Sequence, residues 1–180
     1  MAKRPAAAFE EDVEQAVQLI RTAWRQLLRG IEKSSTHYLY HLYVSESDLR
    51  CLLFHECLKL LKLCEQKGLL FTEYKIDNKR VDLAFHLLVP AERELIIAIE
   101  IKHDPKPAKI EKDLKKLHEL IEEGAVVRGV FLTLASSDYR LKERLEEQGV
   151  FQRLKVKSVE WHSFKRLIDG KNIDALFIVL

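Results

Sequence analysis

Asp82, Glu100 and Lys102 are ionisable residues set into two segments that otherwise read as core strands, Arg80-Val81-Asp82-Leu83-Ala84-Phe85 and Leu95-Ile96-Ile97-Ala98-Ile99-Glu100-Ile101-Lys102. Side chains alternate faces along a strand. Leu95, Ile97, Ile99 and Ile101 therefore form one apolar face, and Ile96, Ala98, Glu100 and Lys102 the other. A strand this apolar is expected to be buried on both sides, where ionised groups need partners. The first segment has the same design, with Val81, Leu83, Phe85 and Leu87 on one face and Asp82, Ala84 and His86 on the other. Only a short turn around Pro90-Ala91-Glu92 separates the two, which predicts an antiparallel hairpin. A register centred on Ala91 sets Asp82 opposite Glu100 and Ala84 opposite Ala98. Opposed like charges destabilise a strand pair, more so when partly buried, so a compensating cation is expected. Oxygen ligands with room for water favour magnesium or manganese.

The elements that must position these residues are legible in the hydrophobic pattern. Residues 9 to 33 read as an amphipathic helix through Phe9, Val13, Val17, Ile20, Trp24, Leu27 and Ile31. A second helix runs from about Asp48 to Gln66, capped by Ser45 or Ser47 and closed at Gly68. Strands are expected over 70–76, 80–88 and 94–102. A helix entered through Asp104-Pro105-Lys106-Pro107 carries Ile110, Leu114, Leu117 and Ile121 on one face. A strand over 126–134, a charged helix over 137–148, strands over 154–161 and 173–180 and a short helical stretch near 162–168 complete an α/β domain.

With 180 residues and 47% hydrophobic content, one domain spanning 1–180 is expected. Its parts are an N-terminal helical extension (1–44), a core (45–135) and a C-terminal completion (136–180). The formal charge of +2 excludes a global basic field, so affinity for nucleic acid must come from local patches. Cys51, Cys57 and Cys64 lie in one predicted helix, odd in number and without CxxC spacing, which argues against disulfides and a zinc site. With no apolar signal core and no run of about 18 apolar residues, the expected location is cytoplasmic.

These residues resemble the PD-(D/E)xK nuclease superfamily, the restriction-endonuclease-like fold. Its motif is an aspartate early in one strand, then acidic-x-Lys on the neighbouring strand, then a helix. Here Asp82, Glu100, Lys102 and the helix from Pro107 match, with Val81 in place of the motif's proline. Arg-Val-Asp-Leu followed by Ile-Glu-Ile-Lys also looks like the archaeal Holliday-junction resolvases and several restriction-like families. The resemblance covers residues 45 to 135 and implies an α-β-β-β-α-β core with a mixed central sheet.

It further implies that Asp82, Glu100 and the backbone carbonyl of Ile101 ligate Mg2+ or Mn2+, which polarises a scissile phosphate and activates water. Lys102 would orient that water or help deprotonate it. Many members add a glutamate from the preceding helix. Glu46 and Glu56 are candidates about 80° apart on a helical wheel, and Glu73 is a third. A residue of the following helix often points back toward the site, and Lys116 is the choice here. Lys109 and Lys112 would contact phosphates without reading sequence. The implied activity is a metal-dependent endodeoxyribonuclease, and the implied partners are DNA rather than RNA and a second copy of the chain. The alternative is an inactive nucleic-acid-binding or subunit adaptor on the same fold. His86 and His103 are read as pocket walls, and Tyr38 to Tyr43 as aromatic packing between the first two helices.

Overall fold

The computed structural model describes residues 6–33, 45–63, 68–87, 95–137, 140–165, 170 and 172–180, with side chains from residue 10 onward except that of residue 63. Helices α1 (Ala6–Lys33) and α2 (Glu46–Leu63) precede strands β1 (Gly68–Ile76), β2 (Lys79–Leu87) and β3 (Leu95–His103). Helix α3 (Pro107–Glu122), β4 (Arg128–Ser136), α4 (Leu141–Glu147), α5 (Val150–Arg153), β5 (Ser158–Lys165) and β6 (Asn172–Val179) follow. The strands form one six-stranded mixed sheet in the order β1-β2-β3-β4-β6-β5. β3 and β4 run parallel, and α3 is their crossover; the other neighbouring pairs are antiparallel. Among the described residues no helix is long and apolar enough to cross a membrane.

Helices cover both faces. On one, Val13, Val17, Ile20, Trp24 and Leu27 of α1 and Leu49, Leu53 and Cys57 of α2 pack on Leu83, Phe85, Ile97, Ile99 and Ile101. This is the apolar face expected of β3. On the other, Ile110, Leu114, Leu117 and Leu120 of α3 pack on Ala84, Ala98 and Phe131. Leu120 is fully buried where the periodicity favoured Ile121, which is partly buried. The hairpin register has Ala84 opposite Ala98, as expected, and Ala98 in turn neighbours Gly129 of β4. These small residues form a shallow floor across three strands, and α3 settles onto it. A Cβ built at Gly129 would lie 2.9 Å from Leu117 Cβ, too close for any other residue without a shift.

Three details depart from expectation. Val81 packs with Ile76 on the α3 side, whereas Leu83, Phe85 and Leu87 pack on the other, so alternation breaks at Asp82. The cause is local: Glu73, within β1, has φ 51°, and the β2–β3 ladder ends at Leu83–Ile99. The expected helical stretch near 162–168 is strand as far as Lys165, because His162 to Lys165 pair with Asn172 to Ala175; positions 166–169 lie outside the described residues. The helix expected over 137–148 is the shorter α4, followed by the separate turn α5. Tyr38 to Tyr43 and Cys64 also lie outside the described residues. Cys57 is fully buried and its thiol is pushed up to about 12 by burial and then by Glu56, which leaves it an inert packing group.

Candidate active site

Asp82 and Glu100 stand one step beyond the Leu83–Ile99 pair, where β2 and β3 part. The parting strands free the Ile101 N–H from the ladder, and it donates to Asp82 Oδ2 at 2.8 Å. Glu100 remains inside the sheet, between β2 and Phe131 of β4, with 2% exposure. Lys102 then leaves the end of β3 with 16% side-chain exposure.

Four carboxylates surround the Lys102 ammonium. Glu46 lies 2.9 Å from Nζ, Asp82 3.6 Å, Glu100 3.8 Å and Asp113 3.8 Å. Nζ also donates to the Ile101 carbonyl at 3.0 Å. Burial alone would lower the lysine's pKa, but the hydrogen bond to Glu46 and the charges of Asp82, Asp113 and Glu100 outweigh it, and the net shift is upward. Lys102 is therefore a firmly held cation, suited to neutralising charge and poorly suited to removing a proton.

Each supporting side chain has a local reason for its place. The N-terminus of α2 is set by a reciprocal cap: Asp48 N–H donates to Ser45 Oγ at 3.2 Å, and Ser45 N–H donates to Asp48 Oδ2 at 2.9 Å. This leaves Glu46 in the first turn, aimed at Lys102. On α3, Lys116 Nζ lies 2.5 Å from Glu100 Oε1 and 3.7 Å from Asp113, and it donates to the Arg80 carbonyl at 3.0 Å. Asp113, one turn earlier, is half-buried and its carboxyl is pushed up, chiefly by burial.

The other candidates fall elsewhere. Glu56, proposed as an alternative to Glu46, pairs with Lys59 on its own helix at 2.7 Å, away from Lys102. Ten residues along one helix, about 15 Å of rise and about 80° of rotation apart, cannot bring both to one point. Glu73 pairs with Arg50 and, at 3.3 Å, with Arg80. Lys109 and Lys112 are exposed on α3. His86 is buried against Phe71 and Tyr74, with ring centroids 4.8 Å from each, and His103 lies 3.6 Å from Asp104. Arg50 was not foreseen, and Asp113 was given no role of its own. Arg50 follows Glu46 by four positions and Asp113 precedes Lys116 by three, so helical spacing from a chosen residue would have found both.

Glu100 gives the sharpest test of whether this cluster suits a divalent cation. Burial first, and the neighbouring Asp82 charge second, push its carboxyl up to about 8 despite the Lys116 ammonium. The site concentrates more anionic oxygen than its lysines neutralise, and hard carboxylate and carbonyl donors fit magnesium or manganese. In the arrangement described, the ammonium groups of Lys102 and Lys116 stand among these oxygens. Among the described residues no three His, Cys, Asp or Glu side chains converge on one metal position. The donor chemistry fits such an ion, with the lysines as its local competitors. Comparison with protein-family models, curated proteins and solved structures finds no match for this chain.

Proposed function

We propose that the protein is a divalent-metal-dependent nuclease of restriction-endonuclease-like architecture that hydrolyses phosphodiester bonds, in DNA rather than RNA. The succession α2-β1-β2-β3-α3-β4, with β3 and β4 parallel, is the α-β-β-β-α-β order such a core requires. The observation that carries the reading is the meeting of Asp82, Glu100 and the Ile101 carbonyl, from two adjacent strands, within 3.8 Å of one lysine nitrogen.

Asp82, Glu100 and the Ile101 carbonyl would hold Mg2+ or Mn2+, with Glu46 beside them. Bound there, the ion supplies Lewis-acid polarisation of a phosphate and a lowered pKa for water. The remaining roles belong to the chain. Lys102, kept protonated by its carboxylates, neutralises charge that develops on phosphate oxygens. Lys116 holds Glu100 in place from α3. The exposed Lys109 and Lys112 give the same helix a sequence-independent hold on the backbone.

The second reading, a nucleic-acid-binding or subunit adaptor, draws on one observation: among the described residues the acidic side chains do not yet converge on a single metal position. Incubation with branched, single-stranded and duplex DNA in Mg2+ or Mn2+ separates the two readings. Cleavage that disappears in Asp82→Ala, Glu100→Ala and Lys102→Ala supports the nuclease, and cleavage that survives all three removes these residues from the chemistry. Binding of DNA without cleavage under any of these conditions favours the adaptor.

A further inference from the structure

We infer that Arg50, anchored by Glu73, is a positioning residue that fixes the orientation of the Asp82 carboxylate; its catalytic consequence rests on the nuclease reading of Asp82. The two carboxylate oxygens are engaged from different elements. Oδ2 accepts the Ile101 N–H of β3 at 2.8 Å, and Oδ1 faces Arg50 Nη1 of α2 at 3.5 Å. A carboxylate held from two directions loses the rotation that would let it turn from its neighbours on β3.

Arg50 is itself tied down. The same Nη1 pairs with Glu73 Oε1, and Glu73 Oε2 accepts from Arg80 Nη1 at 3.3 Å. Among the described residues Glu73 has an unusual backbone for its place in a strand. Its φ of 51° falls in the left-handed region in the body of a strand, whereas Asp77, Asp104, Arg140 and Lys155, which share that region, stand at turns or element ends. Strain of this kind persists where surrounding contacts over-determine it, and the two arginines on Glu73 are such contacts. Arg50 also follows Glu46 by one helical turn, so the capped start of α2 sets both residues at once: Glu46 toward Lys102, Arg50 toward Asp82. That one turn of helix thus orders charges on both strands of the hairpin.

The Ile101 amide reports Asp82 orientation without any metal or substrate. Hydrogen exchange at Ile101 is followed by NMR in the full chain, beside Arg50→Gln, Glu73→Gln and Arg50→Lys. Loss of one charge-assisted contact should cut Ile101 protection about tenfold in the first two variants. Arg50→Lys should fall between them and the unaltered chain, and Ala98 and Ile99 should keep their protection. In Mg2+, kcat for DNA cleavage should drop by about tenfold with KM within about twofold, as expected when orientation and not binding is lost. Unchanged protection at Ile101 in both Arg50→Gln and Glu73→Gln overturns the inference whatever happens to cleavage. Protection lost along all of β3 overturns it too, since that marks general destabilisation. Protection lost at Ile101 alone supports it, and if the unaltered chain then cleaves no DNA, the nuclease reading is what fails.

Discussion

Two charge clusters in this molecule are built in opposite proportions. Where α1 meets β5, one carboxylate, Glu160, faces two arginines, Arg21 at 2.6 Å and Arg25 at 2.8 Å, with a third of the Glu160 side chain open to solvent. At the end of β3, two ammonium groups, those of Lys102 and Lys116, stand among four carboxylates in a largely enclosed pocket. The first cluster meets its own charge from the chain and is screened by water, so it contributes about 0–1 kcal/mol and needs no further partner. The second leaves anionic charge beneath the surface, and Glu100 registers the cost in a carboxyl pushed up to about 8, first by burial and then by Asp82. An arrangement that works against the folded state is what the proposed chemistry would require, and its sign would suit a cation from outside the chain.

Under the proposed function, the largest effect that separates the clusters is on catalysis. Asp82→Asn, Glu100→Gln and Lys102→Met should each reduce DNA cleavage in Mg2+ by about a thousandfold or more, the scale of losing a metal ligand or a charge-stabilising cation. Glu160→Gln should leave the rate within about twofold, since it removes one surface pair. Single-turnover assays at saturating DNA would measure both, and equal losses at the two clusters would erase the distinction.

Stability should move the other way. In EDTA at about pH 7, Glu100→Gln should raise stability by about 1–3 kcal/mol, because the amide needs neither the proton uptake on folding nor the burial of a charge beside Asp82 that Glu100 requires. For a chain of this size that is about 2–4 °C of Tm per kcal/mol. Added Mg2+ should raise Tm for the unaltered chain and do little for the variant. A variant that melts lower than its parent in EDTA would mean that Glu100 belongs with the structural pairs.

How far this contrast could be read from sequence depended on whether neighbours along the chain decide a position. Alternation in Leu95 to Lys102 and the short turn before it were enough to pair Ala84 with Ala98 and bring Asp82 to the edge of Glu100. The apolar stripe of α3 was enough to aim Lys116 inward. Choosing Glu46 over Glu56 was not possible by phase alone, because the angle at which α2 crosses the sheet decides which turn reaches β3, and that angle is set by packing among Leu49, Leu53 and the isoleucines of β3. Val81 was placed on the wrong face because a left-handed Glu73 in mid-strand has no signature in hydropathy. Residues 162–165 were misread for a related reason: pairing with the apolar β6 outweighs local preference.

A smaller effect tests the charge imbalance through protons. Glu100 binds its proton more tightly in the folded chain, up to about 8, than at its ordinary value of 4.5. Between those values the folded state carries more protons than the unfolded, so stability falls as pH rises. Asp113, also shifted upward, adds in the same direction. Lys102, shifted upward from 10.5, keeps its charge throughout this window and adds no slope there. The Tm advantage of Glu100→Gln over its parent in EDTA should therefore widen between about pH 5 and about pH 8. A constant difference would place the Glu100 proton outside that window.

The smallest effect is expected at the cluster that needs nothing from outside. Glu160→Ala removes both arginine contacts at once, yet the exposed Arg25 is rehydrated and the largely buried Arg21 has other partners. Arg21 also keeps its guanidinium 5.2 Å from the centre of the Phe177 ring and its hydrogen bond to Gln18, while Arg25 is more than half exposed. Urea denaturation at low salt should show a loss of about 1 kcal/mol or less, shrinking further in 0.5 M salt, roughly the regime in which surface pairs are screened. The same salt should leave the Glu100→Gln difference almost intact, because ions in solution cannot enter between Glu100, Asp82 and the strands that enclose them. If salt weakens the two differences in parallel, the Lys102 pocket is open to water and its excess of carboxylates is no more than a solvated surface.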